Sequence, residues 1–144
     1  MPSLPDHTFL AVFDGHGGSG AAIYAAEHMI PTIEATAEWQ AYLGDSSKNT
    51  DLLGRALTKA FITIDERLRV HQNLPTDSRY GRDCSGCTSV TCMVTPKHFV
   101  CANAGDSRCC MGTNGTTIAL SDDHKPNNPE EQARILNAGG TVHW

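Results

Sequence analysis

The chain has 144 residues, 40% hydrophobic and 19% charged, with a formal net charge of −5. That suits one globular domain, or a piece of a larger one. The acidic balance and scattered Lys and Arg exclude the basic stripe of a nucleic-acid binder, and no apolar stretch approaches the ~20 residues of a membrane span.

Met1 to His7 lacks the basic segment and apolar core of a secretory signal. Phe9 to Phe13 is a short continuous apolar run and predicts a buried strand. Asp14 to Gly20 holds four glycines, so the backbone turns sharply there. Ala21 to Trp39 predicts a helix with Ala22, Ala26, Met29 and Ile33 as its buried stripe. Pro31 within it predicts a kink or a new turn.

Gly44 to Thr50 reads as a polar loop. A second helix is predicted over 51–70, with Leu53, Ala56, Ala60, Ile64 and Leu68 as its apolar face and Asp51 or Thr50 as N-cap. His71 to Asp83 reads as a loop. The period then changes. Thr88 to Val94, His98 to Ala102, Ser107 to Met111 and Thr117 to Leu120 predict strands. Thr95-Pro96-Lys97 joins the first two as a tight hairpin, and Gly112-Thr113-Asn114-Gly115 joins the last two. Pro129 to Ala138 predicts a short helix capped by Asn128 and ended by Gly139-Gly140. Thr141 to Trp144 predicts the start of a further strand. An aromatic last residue leads us to expect a cut chain or a completing partner.

Of the six cysteines, Cys92, Cys101, Cys109 and Cys110 lie in apolar strand-like runs, where a free thiol acts as a small hydrophobe. A reducing cytosol, or a nucleus, is the expected setting. Cys84-Ser85-Gly86-Cys87 is a single C-x-x-C. A zinc site needs four ligands and no second pair is present, so a small zinc or redox protein is the minor reading.

Three segments carry candidate chemistry. Asp14-Gly15-His16 follows a buried strand. Asp is a hard oxygen ligand suited to magnesium or manganese, the Gly15 carbonyl can approach a metal, and histidine exchanges protons near neutral pH. Together they offer a metal ligand and a proton donor for metal-assisted hydrolysis. The plainer reading is a glycine-rich turn with a capping Asp and an exposed His. Ala102-Asn103-Ala104-Gly105-Asp106-Ser107-Arg108 joins two strands. Asp106 is there either a second acidic ligand or a turn residue with Arg108 as its ion-pair partner. Asp122-Asp123-His124-Lys125-Pro126 is either a site or a solvated loop. Loops at shared strand ends are where sites are built.

The series FLAVFDGHGG, SGCTSVTCMV, ANAGDSR and SDDHKPNNPEEQARILNAGGTV resembles the type 2C family of serine/threonine protein phosphatases in content, order and spacing, from Phe9 to Val142. The resemblance implies an α+β fold, a four-layer α-β-β-α sandwich. Residues 1–144 would be a partial catalytic domain with about the first half present. It implies a binuclear Mg2+ or Mn2+ centre with a further, weaker metal. Asp14 would bridge two metals, the Gly15 carbonyl would bind one, and Asp106 would help bind the weaker one. His16 would be the general acid toward the leaving serine or threonine oxygen. A metal-activated water would attack the phosphorus of a phosphoprotein substrate, and the complete form would be a monomer. No metal role passes to Asp122 or Asp123.

The chain also departs from the family pattern. No segment before Phe9 matches the family's phosphate-binding Arg and its acidic neighbours, and the later DG and DN metal motifs are absent. Cys87 stands where the family often has a small hydroxyl residue. Asp14 and one carbonyl do not hold two dications. The alternative to a phosphatase is therefore a catalytically silent, phosphatase-like interaction module.

Overall fold

In the structure, a computed structural model, residues 3–70 and 85–143 are described. The predicted loop over 71–83, Cys84 and Trp144 lie outside them.

The apolar run becomes β1 (Thr8–Val12), the edge of a three-stranded antiparallel sheet in the order β1-β4-β5. The other two strands are β4 (Ser89–Val94) and β5 (Phe99–Ala104). Thr8 faces Val94 and Val12 faces Val90. In the second pair Ser89 faces Ala104 and Val94 faces Phe99. All three strands are rich in apolar and β-branched residues, which suit a pleated, half-buried surface. Two-residue bridging strands, β2 (Gly15–His16) and β3 (Gly86–Cys87), pair beside them.

The helices differ in detail from the periodicity. The predicted 21–39 helix is two helices, α1 (Gly20–Glu34) and α2 (Ala37–Gly44). Pro31 sits inside α1 without ending it. The break falls at Thr36, whose hydroxyl accepts from Trp39 N at 3.1 Å and donates to Ile33 O at 2.8 Å. One side chain thus closes α1 and caps α2. The buried stripe of α1 runs through Ala21, Ala25, Met29, Thr32 and Ile33, one residue off the expected Ala22 and Ala26. Alanine-rich stretches fit either phase, and the bulky Met29 and Ile33 set it.

α3 (Thr50–Val70) is the longest helix. Its cap is Asn49 rather than Thr50 or Asp51, because Asn49 Oδ1 accepts from Asp51 N at 2.9 Å. Leu53, Ala56, Leu57, Ala60 and Ile64 form its buried face, with Leu68 packed at the margin. That face meets Met29 and Ile33 of α1, Trp39 and Tyr42 of α2, and Met93 of β4 in one core. His7 Nε2 lies 2.7 Å from the Tyr42 hydroxyl within it and fixes the approach to β1.

On the opposite face of the sheet lies a hairpin of β6 (Cys110–Thr113) and β7 (Thr116–Ala119). Its turn is Asn114-Gly115, both at positive φ (48° and 76°), the two-residue pattern that matches strand twist. β6 starts three residues later than expected because Ser107 turns toward the loops. A cavity of about 360 Å³ separates the hairpin from Leu10, Val12, Val90, Val94 and Phe99 of the sheet. α4 (Pro129–Asn137) has Pro129 at its first turn as expected, and buries no side chain. Thr141 to His143 pairs with no strand among the described residues, so the strand expected there is not formed. The fold is α+β as expected: helices, a sheet, and a hairpin across the sheet's other face.

Candidate functional site

The site begins where β1 ends. Val12 is the last paired residue of β1, so Asp14 is carried out of the sheet, and the β2–β3 bridge holds the next two residues. Gly15 faces Cys87 and His16 faces Gly86. A Cβ at Gly86 would stand 2.5 Å from His16 Nε2 and 3.0 Å from Cε1, so the imidazole rests on bare glycine backbone. Asp14, Gly15 and His16 are all exposed.

Thr88 fixes this loop. Its N–H donates to Asp14 O at 2.9 Å, and its hydroxyl accepts from Asp14 N at 3.3 Å. The same hydroxyl lies 2.6 Å from Ser107 Oγ, which ties the loop to the segment carrying Asp106. Gly105 allows that approach. At φ +107°, a Cβ there would stand 2.8 Å from the Thr88 side chain. Ser85 Oγ accepts from Ala21 N at 3.1 Å and caps the start of α1. Ser19, in the N-cap position, makes no side-chain cap bond.

The third candidate segment joins the second. Asn103 Nδ2 donates to Gly105 O at 3.1 Å and to Asp122 O at 2.7 Å, and His124 N donates to Gly105 O at 2.9 Å. Arg108 does not pair with Asp106. Its Nε and one terminal nitrogen grip both oxygens of Asp123 at 2.8 Å each, with Lys125 Nζ at 3.5 Å. The Arg108 guanidinium holds the Asp123 carboxyl below the ordinary carboxylate range. Asp123 is therefore a brace for the two loops, and Asp122 contributes its backbone carbonyl.

The three candidate segments are thus one connected unit. Asp14, Gly15 and His16 lie together, and Thr88–Ser107 brings the Asp106 loop to them. Among the described residues the Asp14 and Asp106 carboxylates have no hydrogen-bond donor or ion-pair partner, so they are open for ligation. Those residues contain no group of three or more His, Cys, Asp or Glu able to hold a metal ion. The donors present are hard oxygens suited to Mg2+ or Mn2+, but they do not make a closed two-metal set. Cys87 is a half-buried free thiol, and burial pushes its pKa up, which suits a structural role. Thr88, Ser107, Ser85 and Asn103 escaped the sequence reading. The isolated glycines Gly86 and Gly105 were the available signal, since such positions mark close backbone approach.

Comparison with known proteins gives matches along nearly the whole chain. The family model described as Protein phosphatase 2C matches residues 2–144. Human Protein phosphatase 1B is 39% identical over 143 residues, covering 96% of this chain and 29% of that protein. Human Protein phosphatase 1A is 36% identical over 143 residues, covering 99% of this chain and 36% of that protein. The crystal structure of serine-threonine phosphatase 2C from Toxoplasma gondii superposes with a TM-score of 0.79 at 26% identity, covering 100% of this chain and 48% of the other. The chain thus spans about a third of these curated relatives and about half of the solved one.

Proposed function

The chain belongs to the protein phosphatase 2C family, and from that premise we propose that residues 1–144 are the N-terminal part of one catalytic domain that hydrolyses phosphoserine and phosphothreonine in proteins with Mg2+ or Mn2+. The observation that carries this reading is the linked pair of loops. Asp14-Gly15-His16 is pinned by Thr88 and β3, and Thr88 also reaches Ser107 beside Asp106.

Each residue has a part in that reading. The Asp14 carboxylate and Gly15 carbonyl are this chain's ligands to the principal metals, and Asp106 serves a further, weaker one. His16 delivers a proton to the serine or threonine oxygen as it leaves phosphorus. Its exposed ring on Gly86 leaves room for a phosphoprotein side chain to approach. The described residues alone do not close a two-metal site, so further ligands come from elsewhere in the complete domain. The enzyme acts as a monomer in the cytosol or nucleus. Free thiols at Cys87, Cys92, Cys101, Cys109 and Cys110 fit such a compartment. Among the described residues no helix is long and apolar enough to cross a membrane.

The open ligand set also favours a second reading for this chain, a catalytically silent phosphatase-like binding module. Hydrolysis of a phosphopeptide or p-nitrophenyl phosphate with manganese separates the two. The phosphatase reading expects turnover that a chelator abolishes and that Asp14→Asn removes. Equal rates from both chains, or none from either, assign the 144-residue chain to the second reading.

A further inference from the structure

Three cysteines converge on the side of the sheet that the hairpin covers. Cys92 of β4 and Cys101 of β5 are direct cross-strand partners. Thr95 N donates to His98 O and closes the turn between these strands. Hydrogen-bonded and non-hydrogen-bonded pairs alternate from that closing pair. Cys92 and Cys101 therefore occupy a non-hydrogen-bonded pair, where facing side chains stand closest.

Cys109, on the segment entering β6, completes the group. It shares a cavity wall with Cys92, whose cross-strand partner is Cys101, and its charge acts on both of their thiols. Cys92 is 7% exposed, and it lines the cavity under the hairpin together with Cys109. Cys101 is half-buried and borders a groove between the β5 edge and α3. A small oxidant reaches Cys101 and Cys109 more readily than Cys92.

We propose that Cys101 and Cys109 are an oxidisable pair, and that their disulfide staples the loop carrying Gly105, Asp106 and Ser107. The step balances with one hydrogen peroxide. The Cys109 sulfur attacks a peroxide oxygen, the O–O bond breaks, and one water leaves as Cys109 becomes a sulfenic acid. The Cys101 sulfur then attacks the Cys109 sulfur. The S–O bond breaks, and the hydroxyl leaves as a second water with the Cys101 proton. The two sulfurs each give up one electron, and peroxide takes both. The order follows from the surroundings. Burial, and next the neighbouring Cys109, push the Cys101 thiol up to about 12, so Cys101 is the resolving thiol rather than the first nucleophile. The disulfide would fix both ends of the Asp106 segment to the sheet, so oxidation acts on the site through the loop that carries Asp106.

The test treats the whole chain with hydrogen peroxide, alkylates free thiols and digests it with trypsin without reductant. Cleavage after Lys97 and Arg108 places Cys101 and Cys109 in different peptides, and Cys92 in a third. Mass spectrometry is expected to find the 98–108 peptide joined to the peptide that begins at Cys109, in a chain that remains monomeric. The link should persist in Cys110→Ser and vanish in Cys109→Ser. A link that survives Cys109→Ser, one that runs to Cys92, one that joins two copies, or over-oxidised thiols alone would overturn the proposal. Should Cys109→Ser fail to fold by circular dichroism, the Cys92→Ala, Cys101→Ala chain decides. Dimedone labelling of Cys109 after peroxide supports the proposal, and its absence refutes it.

Discussion

The two faces of the β1-β4-β5 sheet carry similar residues and have different fates. On the helix side Met93, Leu53, Ile33 and Trp39 have no exposed surface. On the hairpin side Leu10, Val12 and Phe99 are 56%, 58% and 53% exposed. Alternation along each strand sends comparable side chains both ways, so the strands themselves do not decide which face is dry. Cover decides it. Three helices close one face, and a two-stranded hairpin with a cavity beneath it leaves the other open. Stability is concentrated on the helix side, and the candidate site hangs from the end of the sheet on polar links.

The largest expected effect tests the closed face. Leu53→Ala should cost about 2–5 kcal/mol in urea unfolding, because removing a fully buried leucine leaves a cavity in the core under the helices. A cost under about 1 kcal/mol would mean that the helix layer is loosely packed and that the contrast is overstated. Next comes the link between loops. Thr88→Val keeps the shape but deprives the Asp14 N–H and the Ser107 hydroxyl of their partner, and should cost about 1–3 kcal/mol. Faster amide exchange should appear at Asp14 and Ser107 and leave α3 untouched. Exchange spread over the whole sheet would instead make Thr88 a core residue. Thr36→Ala removes a cap shared by two helices, and about 1 kcal/mol is expected by thermal unfolding. The smallest effect tests the open face. Leu10→Thr should change stability by no more than about 0.5 kcal/mol and should lower binding of a hydrophobic dye. A cost like that of Leu53→Ala would show that this face is packed in solution and would end the comparison.

Much of the architecture was legible because it is written in local periodicity. The α3 face, both hairpin turns, and the positions of β1, β4 and β5 follow from spacing and from Gly, Pro and Asn placement, but β1 is a mostly exposed edge and not the buried strand that its apolar run predicts. The glycine-rich loop with Asp14 and His16 was legible for the same reason. The rest was hidden for a definite cause. Thr88 meets Asp14 across a sequence separation of 74 residues, and Asn103 meets Asp122 across 19. No local pattern encodes such pairs. Arg108 looked like a partner for Asp106 because they are neighbours in sequence, yet a bidentate grip needs a carboxylate facing the guanidinium plane, and Asp123 supplies it. The phase of α1 was ambiguous because alanines fill both candidate stripes. Thr36 was overlooked because Pro31 was the more conspicuous breaker, although a capping hydroxyl starts a new helix as firmly as a proline disturbs an old one.

The pairing of β1 with β4 has a consequence for the chain as it is made. Val12 meets Val90, 78 residues further on. At a synthesis rate of ~5–20 residues per second, β1 waits about 4–16 s for its partner strand to emerge. Throughout that interval Thr-Phe-Leu-Ala-Val carries no charge and no proline, the composition of a segment prone to pairing with the wrong edge. The β1 segment is thus exposed to mispairing before the sheet exists, and chaperone demand is expected to rise as translation between β1 and β4 slows.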